Sequence, residues 1–196
     1  MQHLLDKIRQ GRWVVMGILN VTPDSFSDGG RFDRLDNALR HALQMQKHGA
    51  EIIDVGGEST RPGAVMVSLD EELSRVIPVI EKIRGNSDVA ISIDTSKLQV
   101  MQAAISAGAT MVNDVNALQA VGAVKLCAQS HVPVCLMHKQ GSPQTMQDNP
   151  VYVDVVDEVK SYLQARVAVC LEAGISRENI MIDPGFGFGK RLENNL

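Results

Sequence analysis

The chain has 196 residues, of which 44% are hydrophobic and 21% charged, a composition that supports a buried core and argues against disorder. Its 19 basic and 23 acidic side chains give a formal net charge of -4, which excludes a strong positive field for nucleic acid or an anionic membrane. The first residues lack the apolar core of a signal peptide, and no apolar run approaches the roughly 18 residues of a membrane span. We therefore expect a single cytoplasmic domain over residues 1–196.

Three cysteines, Cys127, Cys135 and Cys170, are an odd number, and no two of them have the Cys-x-x-Cys spacing of a zinc site. This pattern argues against both a disulfide framework and a structural zinc. We expect three buried thiols in a reducing compartment.

In chain order, short β-branched runs alternate with longer stretches whose apolar residues recur at i, i+3 and i+4. The clearest helix is predicted from Ser68 to Arg84, because Ser68 and Glu71 have capping-box spacing ahead of one apolar stripe. Glycine follows three of the helical stretches, as it does where a left-handed residue ends a helix; these glycines are Gly49, Gly108 and Gly174. The predicted strands are Trp13–Leu19, Glu51–Val55, Val89–Ile93, Thr110–Asn113, Val132–Met137 and Ile180–Ile182.

This alternation of strands and helices predicts an α/β fold with a parallel sheet. An open doubly wound sheet gathers ligand groups at one switch point, whereas a (β/α)8 TIM barrel takes them from the ends of many strands. Every predicted strand here stops at or near a polar residue, which favours the barrel; these residues are Asn20, Asp54, Asp94, Asn113 with Asp114, His138 and Asp183. Because a closed barrel has eight strands and about 250 residues, we expect about six of the eight strand–helix units here, without the C-terminal strands.

Two loops after predicted strands are candidates for ligand contact. The loop Asn20–Gly30 is long and polar, and its Phe26, between two serines, fits a lid over a flat ligand better than a plain turn. The loop Gly56–Gly63 combines small residues, which let a backbone approach a ligand, with Arg61, which can bind an anion. Each loop by itself also fits an ordinary surface turn.

Carboxylates and an amide at strand ends form a second candidate site. Asp94, Asn113 and Asp183 follow the third, fourth and sixth predicted strands, and such side chains can bind a heterocycle with adjacent donors and acceptors, such as an aminopyrimidinone. Each residue alone could cap a helix, but together they favour a polar binding site. The glycine-rich run Asp183–Lys190 lacks Walker A and Rossmann spacing, so we interpret it as barrel rim, and we expect the lone His138 to pack in the core rather than bind a metal.

Two long motifs carry a specific resemblance to a known family. The run Met16–Gly30 resembles the first signature of the dihydropteroate synthases, which are pterin-binding barrel enzymes, and Gly49–Gly63 resembles the second. Shorter motifs of the family follow in order: Ile93–Ser96, Asn113–Asp114, Leu136–His138 and Asp183–Gly187. The resemblance extends from Val14 to Leu196.

The resemblance implies a transferase of folate synthesis that joins 4-aminobenzoate to 6-hydroxymethyl-7,8-dihydropterin diphosphate, forming 7,8-dihydropteroate and pyrophosphate. It implies that Asn20 ligates a Mg²⁺ ion on the leaving diphosphate. The residues implied to bind the pterin are Asp94, Asn113 and Asp183, with Met137 beside the ring.

The remaining roles implied by the resemblance concern the second substrate and the reacting carbon. Thr60 and Arg61 would bind phosphate or 4-aminobenzoate, Phe26 and Pro62 would wall the aminobenzoate pocket, and Phe188 would be a further substrate contact. The catalytic residues implied are Asp94, Asp28 and Arg61, of which the carboxylates would stabilise positive charge on the pterin methylene.

Departures from the family pattern leave two alternatives open. Lys139 stands where the family often has methionine, and the family's late Ser-Arg-Lys and Arg-x-His motifs, together with the helices of its homodimer contact, do not occur in these residues. The sequence is therefore also consistent with an inactive or pterin-binding-only fragment. A methyltetrahydrofolate-binding methyltransferase domain would share the strand-end Asp and Asn residues but not the two loops. In every case the expected partners are small molecules, with no nucleic acid or membrane.

Overall fold

The computed structural model describes residues 1–22, 31–59, 66–141, 146 and 150–195, without the side chains of 31–33. Six α-helices and six β-strands lie in this part of the chain. The helices are α1 Gln2–Arg9, α2 Arg31–Lys47, α3 Leu69–Arg84, α4 Leu98–Ala107, α5 Ala123–Ser130 and α6 Val155–Glu172. The strands are β1 Met16–Asn20, β2 Ile52–Gly56, β3 Ala90–Asp94, β4 Met111–Asp114, β5 Val134–Met137 and β6 Ile180–Asp183.

The strands form one parallel sheet in the order β1-β2-β3-β4-β5-β6. This order follows the chain without the reversal that defines a doubly wound sheet, and it is the order of a (β/α) barrel. Within the described residues β1 and β6 are the two edges, so the sheet is not closed there. The six predicted strands are confirmed as elements, with ends displaced by up to three residues. The largest displacement is at β1, where the fully exposed Trp13 precedes the strand.

The two faces of the sheet contain different cores. The outward face packs on the helices in a cluster that includes Val55, Ile93 and Val112. The inward face contains a smaller cluster in which Leu4 of α1 contacts Ile52 and its neighbours near the amino ends of the strands. Because side chains alternate along a strand, outward and inward residues can be assigned by register. The helix α1 therefore closes the amino end of the inward face, and the carboxyl ends of the strands remain available for a site.

Local signals in the sequence explain the helix ends. The Ser68 hydroxyl accepts a hydrogen bond from the Glu71 amide at 3.2 Å, as predicted for the start of α3. Gly108 takes a left-handed conformation at the end of α4, and the other two predicted helix-ending glycines also have positive φ. The predicted apolar stripe of α3 is buried or half-buried, but its most enclosed polar residue, Glu72, was not predicted to be buried.

No helix in the described ranges is both long enough and apolar enough to cross a membrane.

Candidate functional site

Four strand ends form one row of inward-facing residues. In the register of the sheet, Asn20 pairs with Gly56, Gly56 with Asp94, and Asp94 with Asn113. Gly56 has no side chain, so the row is open between Asn20 and Asp94. A Cβ atom at Gly56 would lie 3.4 Å from Asp94 Oδ2 and 3.7 Å from Asn20 Oδ1. The row therefore brings together three of the predicted site residues, with the exposed Asn20 at its open edge.

Asp94 lies in strongly acidic surroundings. Burial raises the pKa of Asp94 well above its usual value, and the negative charges of Asp54, Asp114, Glu72 and Glu58 raise it further. With the described residues the Asp94 carboxylate makes no hydrogen bond or ion pair. A carboxyl group in this position favours a ligand that brings hydrogen-bond donors or positive charge.

Asn113 is held by a second carboxylate on the inward face. Its Nδ2 donates a hydrogen bond to Asp54 Oδ2 at 3.1 Å, and its main-chain oxygen accepts one from the Thr95 amide at 3.1 Å. Burial raises the pKa of Asp54, although the nearby Ser92 hydroxyl and the Asn113 amide oppose that rise. Asp54 Oδ1 and the hydroxyl of Ser92, its neighbour across the sheet, are buried without a hydrogen-bond partner among the described residues.

The predicted residues of β5 and β6 lie on the same face. Met137 and Asp183 are partners in the register of these strands, and Asp183 Oδ1 accepts a hydrogen bond from the Gly185 amide at 2.7 Å. Cys135 is the neighbour of Asn113 in the sheet and lies between the site residues of β3 and β4 and those at the ends of β5 and β6. Burial raises the pKa of its thiol to about 12, and the negative charges of Asp183, Asp54 and Asp94 also raise it. Cys135 therefore stays a thiol and is unsuited to act as a nucleophile.

Two of the polar strand residues differ from the sequence prediction. Asp54 was interpreted as the end of its strand, but β2 continues to Gly56, so Asp54 lies one layer deeper. Asp114 was grouped with Asn113, but alternation along β4 turns it to the outward face. There it accepts hydrogen bonds from the Ser96 hydroxyl and from the amides of Asn116 and Leu118, which stabilise the following loop.

A partly buried ion-pair network lies between α3 and the start of α4. The Lys97 ammonium contacts Glu72 at 2.5 Å and also Glu58. Glu72 is fully buried, and its other oxygen accepts a hydrogen bond from the Thr95 hydroxyl at 2.6 Å. Because Thr95 directly follows Asp94, this network fixes the backbone on which the row of site residues ends.

The loop after β6 is tied to the loop after β5 by Lys190. The buried Lys190 ammonium donates to the carbonyls of Gly185 at 2.9 Å and Phe188 at 3.2 Å, and it lies 3.0 Å from His138 Nδ1. Burial lowers the pKa of Lys190 to about 8. The pKa of His138 is also lowered, first by burial and then by the Lys190 charge. His138 packs edge-to-face on Tyr162 with ring centroids 5.1 Å apart, and the half-buried Phe188 lies in the tied loop.

Five predicted site residues lie outside the described ranges: Phe26, Asp28, Thr60, Arg61 and Pro62. Their predicted roles stay predictions. The described residues on either side of the second loop are joined, because the Glu58 side chain accepts a hydrogen bond from the Val67 amide at 3.3 Å. Arg75 of α3 also donates to the carbonyl of Gly57 at 2.7 Å.

Sequence reasoning missed several residues that support the site. Asp54 could have been found, because it lies two positions before Gly56 on the same face of a strand. Glu72 carried no signal, because an acidic residue in the first turn of a helix is ordinary there. Lys190 was interpreted only as part of a flexible rim.

Sequence comparison then decides the family. The sequence profile of the pterin binding enzymes matches residues 16–196. The chain belongs to this family. The dihydropteroate synthase of Escherichia coli K12 is 55% identical over 181 residues, which are 92% of this chain and 64% of that protein. The dihydropteroate synthase of Haemophilus influenzae is 52% identical over 92% of this chain and 66% of its own length.

Structural comparison gives the same family. The Yersinia pestis dihydropteroate synthase, solved with a sulfonamide drug complex, has a TM-score of 0.87 and 51% identity, over 94% of this chain and 67% of that one. The Xanthomonas albilineans enzyme in complex with 7,8-dihydropteroate has a TM-score of 0.81 and 46% identity, over 93% of this chain and 64% of that one. The predicted barrel fold is therefore confirmed, and the present chain spans roughly two thirds of the length of these relatives.

Proposed function

We propose that the inward-facing row binds a pterin and that the protein acts as a dihydropteroate synthase. The observation that carries this proposal is Asp94, a carboxyl group enclosed among other acidic groups and without a hydrogen bond to the described residues. A pterin edge presents several N–H donors, and Asp94, Asn113 and Asp183 offer matching oxygen acceptors. The relatives with bound pteroate and 4-aminobenzoate support the same ligand class. The methyltransferase alternative is not favoured, because the relatives described above are dihydropteroate synthases.

In the proposed reaction the amino nitrogen of 4-aminobenzoate attacks the methylene carbon of the pterin diphosphate. The carbon–oxygen bond to the diphosphate breaks, pyrophosphate leaves with the bond's electron pair, and the new secondary amine loses a proton. Positive charge develops on the methylene and the attached ring in the transition state. The carboxylate of Asp94 stabilises that charge from the buried side of the ring, where the low dielectric strengthens the interaction.

Asn20, the neighbour of Gly56 in the sheet, is suited to ligate the Mg²⁺ ion that this reaction would use. Asn20 offers an exposed amide oxygen at the open edge of the row, and Mg²⁺ is commonly held by one or two protein oxygens together with substrate phosphates and water. When bound, the ion would offset the negative charge of the leaving pyrophosphate. In the described part of the chain no three His, Cys, Asp or Glu side chains are grouped to hold a metal by themselves.

The residues outside the described ranges complete the proposal. Thr60 and Arg61 bind the diphosphate or the aminobenzoate carboxylate, since a guanidinium matches either anion in a bidentate geometry. Phe26 and Pro62 form the walls of the aminobenzoate pocket, and Asp28 is the second carboxylate near the reacting carbon. Phe188, on the loop tied down by Lys190, is a further substrate contact.

The proposal also includes the setting in which the protein works. Free thiols at Cys127, Cys135 and Cys170 fit the reducing cytoplasm. We propose that residues 1–196 belong to one domain. The partners are the two small-molecule substrates. The homodimer implied by the resemblance stays a prediction.

Calorimetric titration with 6-hydroxymethyl-7,8-dihydropterin diphosphate tests the proposal, with and without Mg²⁺. We expect binding that Mg²⁺ strengthens, and formation of 7,8-dihydropteroate only when 4-aminobenzoate is also present. Asp88→Asn, at an exposed position before the amino end of β3, is the control and should bind as the unchanged protein does. Absence of binding under both conditions would contradict the proposal.

A further inference from the structure

The hydrogen bond between Asp54 and Asn113 spans two strands of the inward face. Asp54 lies on β2 and Asn113 on β4, and the 3.1 Å contact between them crosses β3. Asp54 is 5% exposed. Its carboxylate therefore lies below the row of site residues, with its Oδ2 on the Asn113 amide.

An asparagine side chain can present either its oxygen or its NH2 group to a ligand, and only its surroundings choose between these orientations. The backbone of Asn113 is fixed by the hydrogen bond from the Thr95 amide to its carbonyl, so rotation of the side-chain amide is the remaining freedom. The contacting oxygen of Asp54 accepts a hydrogen bond from that amide. This hydrogen bond therefore keeps the NH2 group of Asn113 pointed toward Asp54 and leaves Oδ1 of Asn113 as an acceptor for the ligand.

We propose that Asp54 is a positioning residue that fixes the amide of Asn113, so that the site selects a 2-amino over a 2-oxo pteridine. The inference rests on the proposed pterin site. With Asn113 fixed, Asp94, Asn113 and Asp183 all present oxygen acceptors. A 2-amino group can donate hydrogen bonds to these oxygen acceptors. A 2-oxo group instead places a further oxygen atom beside them and leaves the acceptors without hydrogen-bond partners.

The surroundings of Asp54 separate this role from simple packing. Burial raises the pKa of Asp54, and the Ser92 hydroxyl and the Asn113 amide oppose that rise. Within the described residues, the side chain that lies within hydrogen-bond geometry of the Asp54 carboxylate is that of Asn113. An apolar side chain of similar volume would avoid the cost of burying that carboxyl group. The carboxylate is therefore better explained by what it does to Asn113 than by what it adds to the core.

Binding of two stable pteridines measures the selection directly. The probes are 6-hydroxymethylpterin, which has the 2-amino group, and 6-hydroxymethyllumazine, which has oxygen in its place. We expect the unchanged protein to prefer the pterin by at least about tenfold, the ratio that about one charge-assisted hydrogen bond supports. Asp54→Leu should reduce the preference to within about threefold, whereas Asp54→Asn, which retains an acceptor for Asn113, should keep most of it.

Two further variants show whether Asp54 acts through Asn113. Asn113→Ala should lose the preference, and adding Asp54→Leu to it should change the ratio no further, because a residue that acts through another has no effect once the other is gone. Asp114→Asn is the matched control, since it alters a buried carboxylate on the opposite face of β4 and should leave the ratio unchanged.

A second measurement does not depend on the folding of the Leu variant. In the unchanged protein the Asn113 side-chain NH2 signals, assigned by their loss in Asn113→Ala, should exchange with solvent more slowly than those of the exposed Asn86. Exchange as fast as that of Asn86 would overturn the inference. So would a folded Asp54→Leu protein that keeps the full pterin preference, or an Asp54→Asn protein that loses as much as Asp54→Leu.

The outcomes for the two proposals are distinguishable. If the unchanged protein binds neither pteridine, the proposed function is contradicted, and the inference that rests on it is contradicted as well. If the unchanged protein selects the pterin and Asp54→Leu does so equally, only the role of Asp54 is contradicted.

Discussion

Two groups of buried or half-buried carboxylates on opposite sides of the sheet differ in how they are compensated. On the outward side Glu72 contacts Lys97 and the Thr95 hydroxyl, and Asp114 accepts three hydrogen bonds. On the inward side Asp94 has no hydrogen bond to the described residues, and one oxygen of Asp54 is buried without a partner there. The two groups are within electrostatic range of each other, since Glu72 and Asp114 both raise the pKa of Asp94.

This difference separates structural from functional use of the same side-chain type. A buried charge that is fully compensated fixes the backbone around it, whereas an uncompensated one costs stability and is explained by a ligand. The outward group joins α3, the loop after β3 and α4 into a rigid frame. The inward carboxyl groups lie on the same strands and face the space in which we propose that the pterin binds.

The largest expected effect comes from breaking the compensated group. Lys97→Met should lower the free energy of unfolding by about 3–5 kcal/mol, because it leaves the fully buried Glu72 without its counter-charge. Chemical denaturation measures this loss.

The control for that change is the exposed pair of Lys82 with Asp36. Lys82→Met removes the same kind of ion pair in solvent and should cost less than about 1 kcal/mol. If both substitutions cost the same, the outward network is not a structural unit and the comparison between the two groups fails.

A smaller effect is expected where the loop after β6 contacts the loop after β5. A Cβ atom at Gly185 would lie 2.0 Å from the His138 carbonyl oxygen, and the residue has φ +69°. Gly185→Ala should therefore cost about 2–4 kcal/mol in unfolding free energy, from backbone strain and steric overlap together.

Gly187 gives a matched control in the same loop. Its φ is +78°, but a Cβ atom there would have nothing within 4 Å, so Gly187→Ala should cost only the backbone strain, about 1–2 kcal/mol. Equal losses of unfolding free energy for the two variants would show that the close packing of the loops contributes nothing.

Much of this architecture could be predicted from the sequence. The alternation of β-branched runs with helical periodicity predicted all six described strands, and polar residues at their ends favoured the barrel. The same residues led us to propose a site at the carboxyl ends of the strands. These features are local, because strand propensity and periodicity are written within a few neighbouring residues.

The compensation of charges could not be predicted, because it depends on tertiary contacts. The Asp54–Asn113 contact joins residues 59 positions apart, and the Glu72–Lys97 pair joins residues 25 apart on different helical units. Sequence alone therefore indicated which carboxyl groups lie at strand ends. It could not distinguish Asp114, which stabilises a loop, from Asp94, which has no hydrogen bond within the described residues.

We propose that Asp94 serves a ligand at the expense of stability, and the Asp94→Asn variant tests both the ligand binding and the stability. Burial and the neighbouring negative charges raise the folded pKa of Asp94 well above its usual value, so between the unfolded and the folded pKa the folded state retains a proton that the unfolded state has lost. Stability therefore falls as the pH rises through the folded pKa. At neutral pH the free energy of unfolding of the unliganded Asn variant should exceed that of the unchanged protein by about 0.5–2 kcal/mol. This gain should vanish below the unfolded pKa of Asp94, where the carboxyl group is protonated in both states.

Calorimetric titration of 6-hydroxymethylpterin into the unchanged protein, Asp94→Asn and Asp88→Asn is the most direct measurement. We predict that Asp94→Asn weakens binding by about 1–3 kcal/mol, while Asp88→Asn binds as tightly as the unchanged protein. Equal affinity in all three proteins would contradict the account, because the uncompensated carboxylate would then have no ligand to serve.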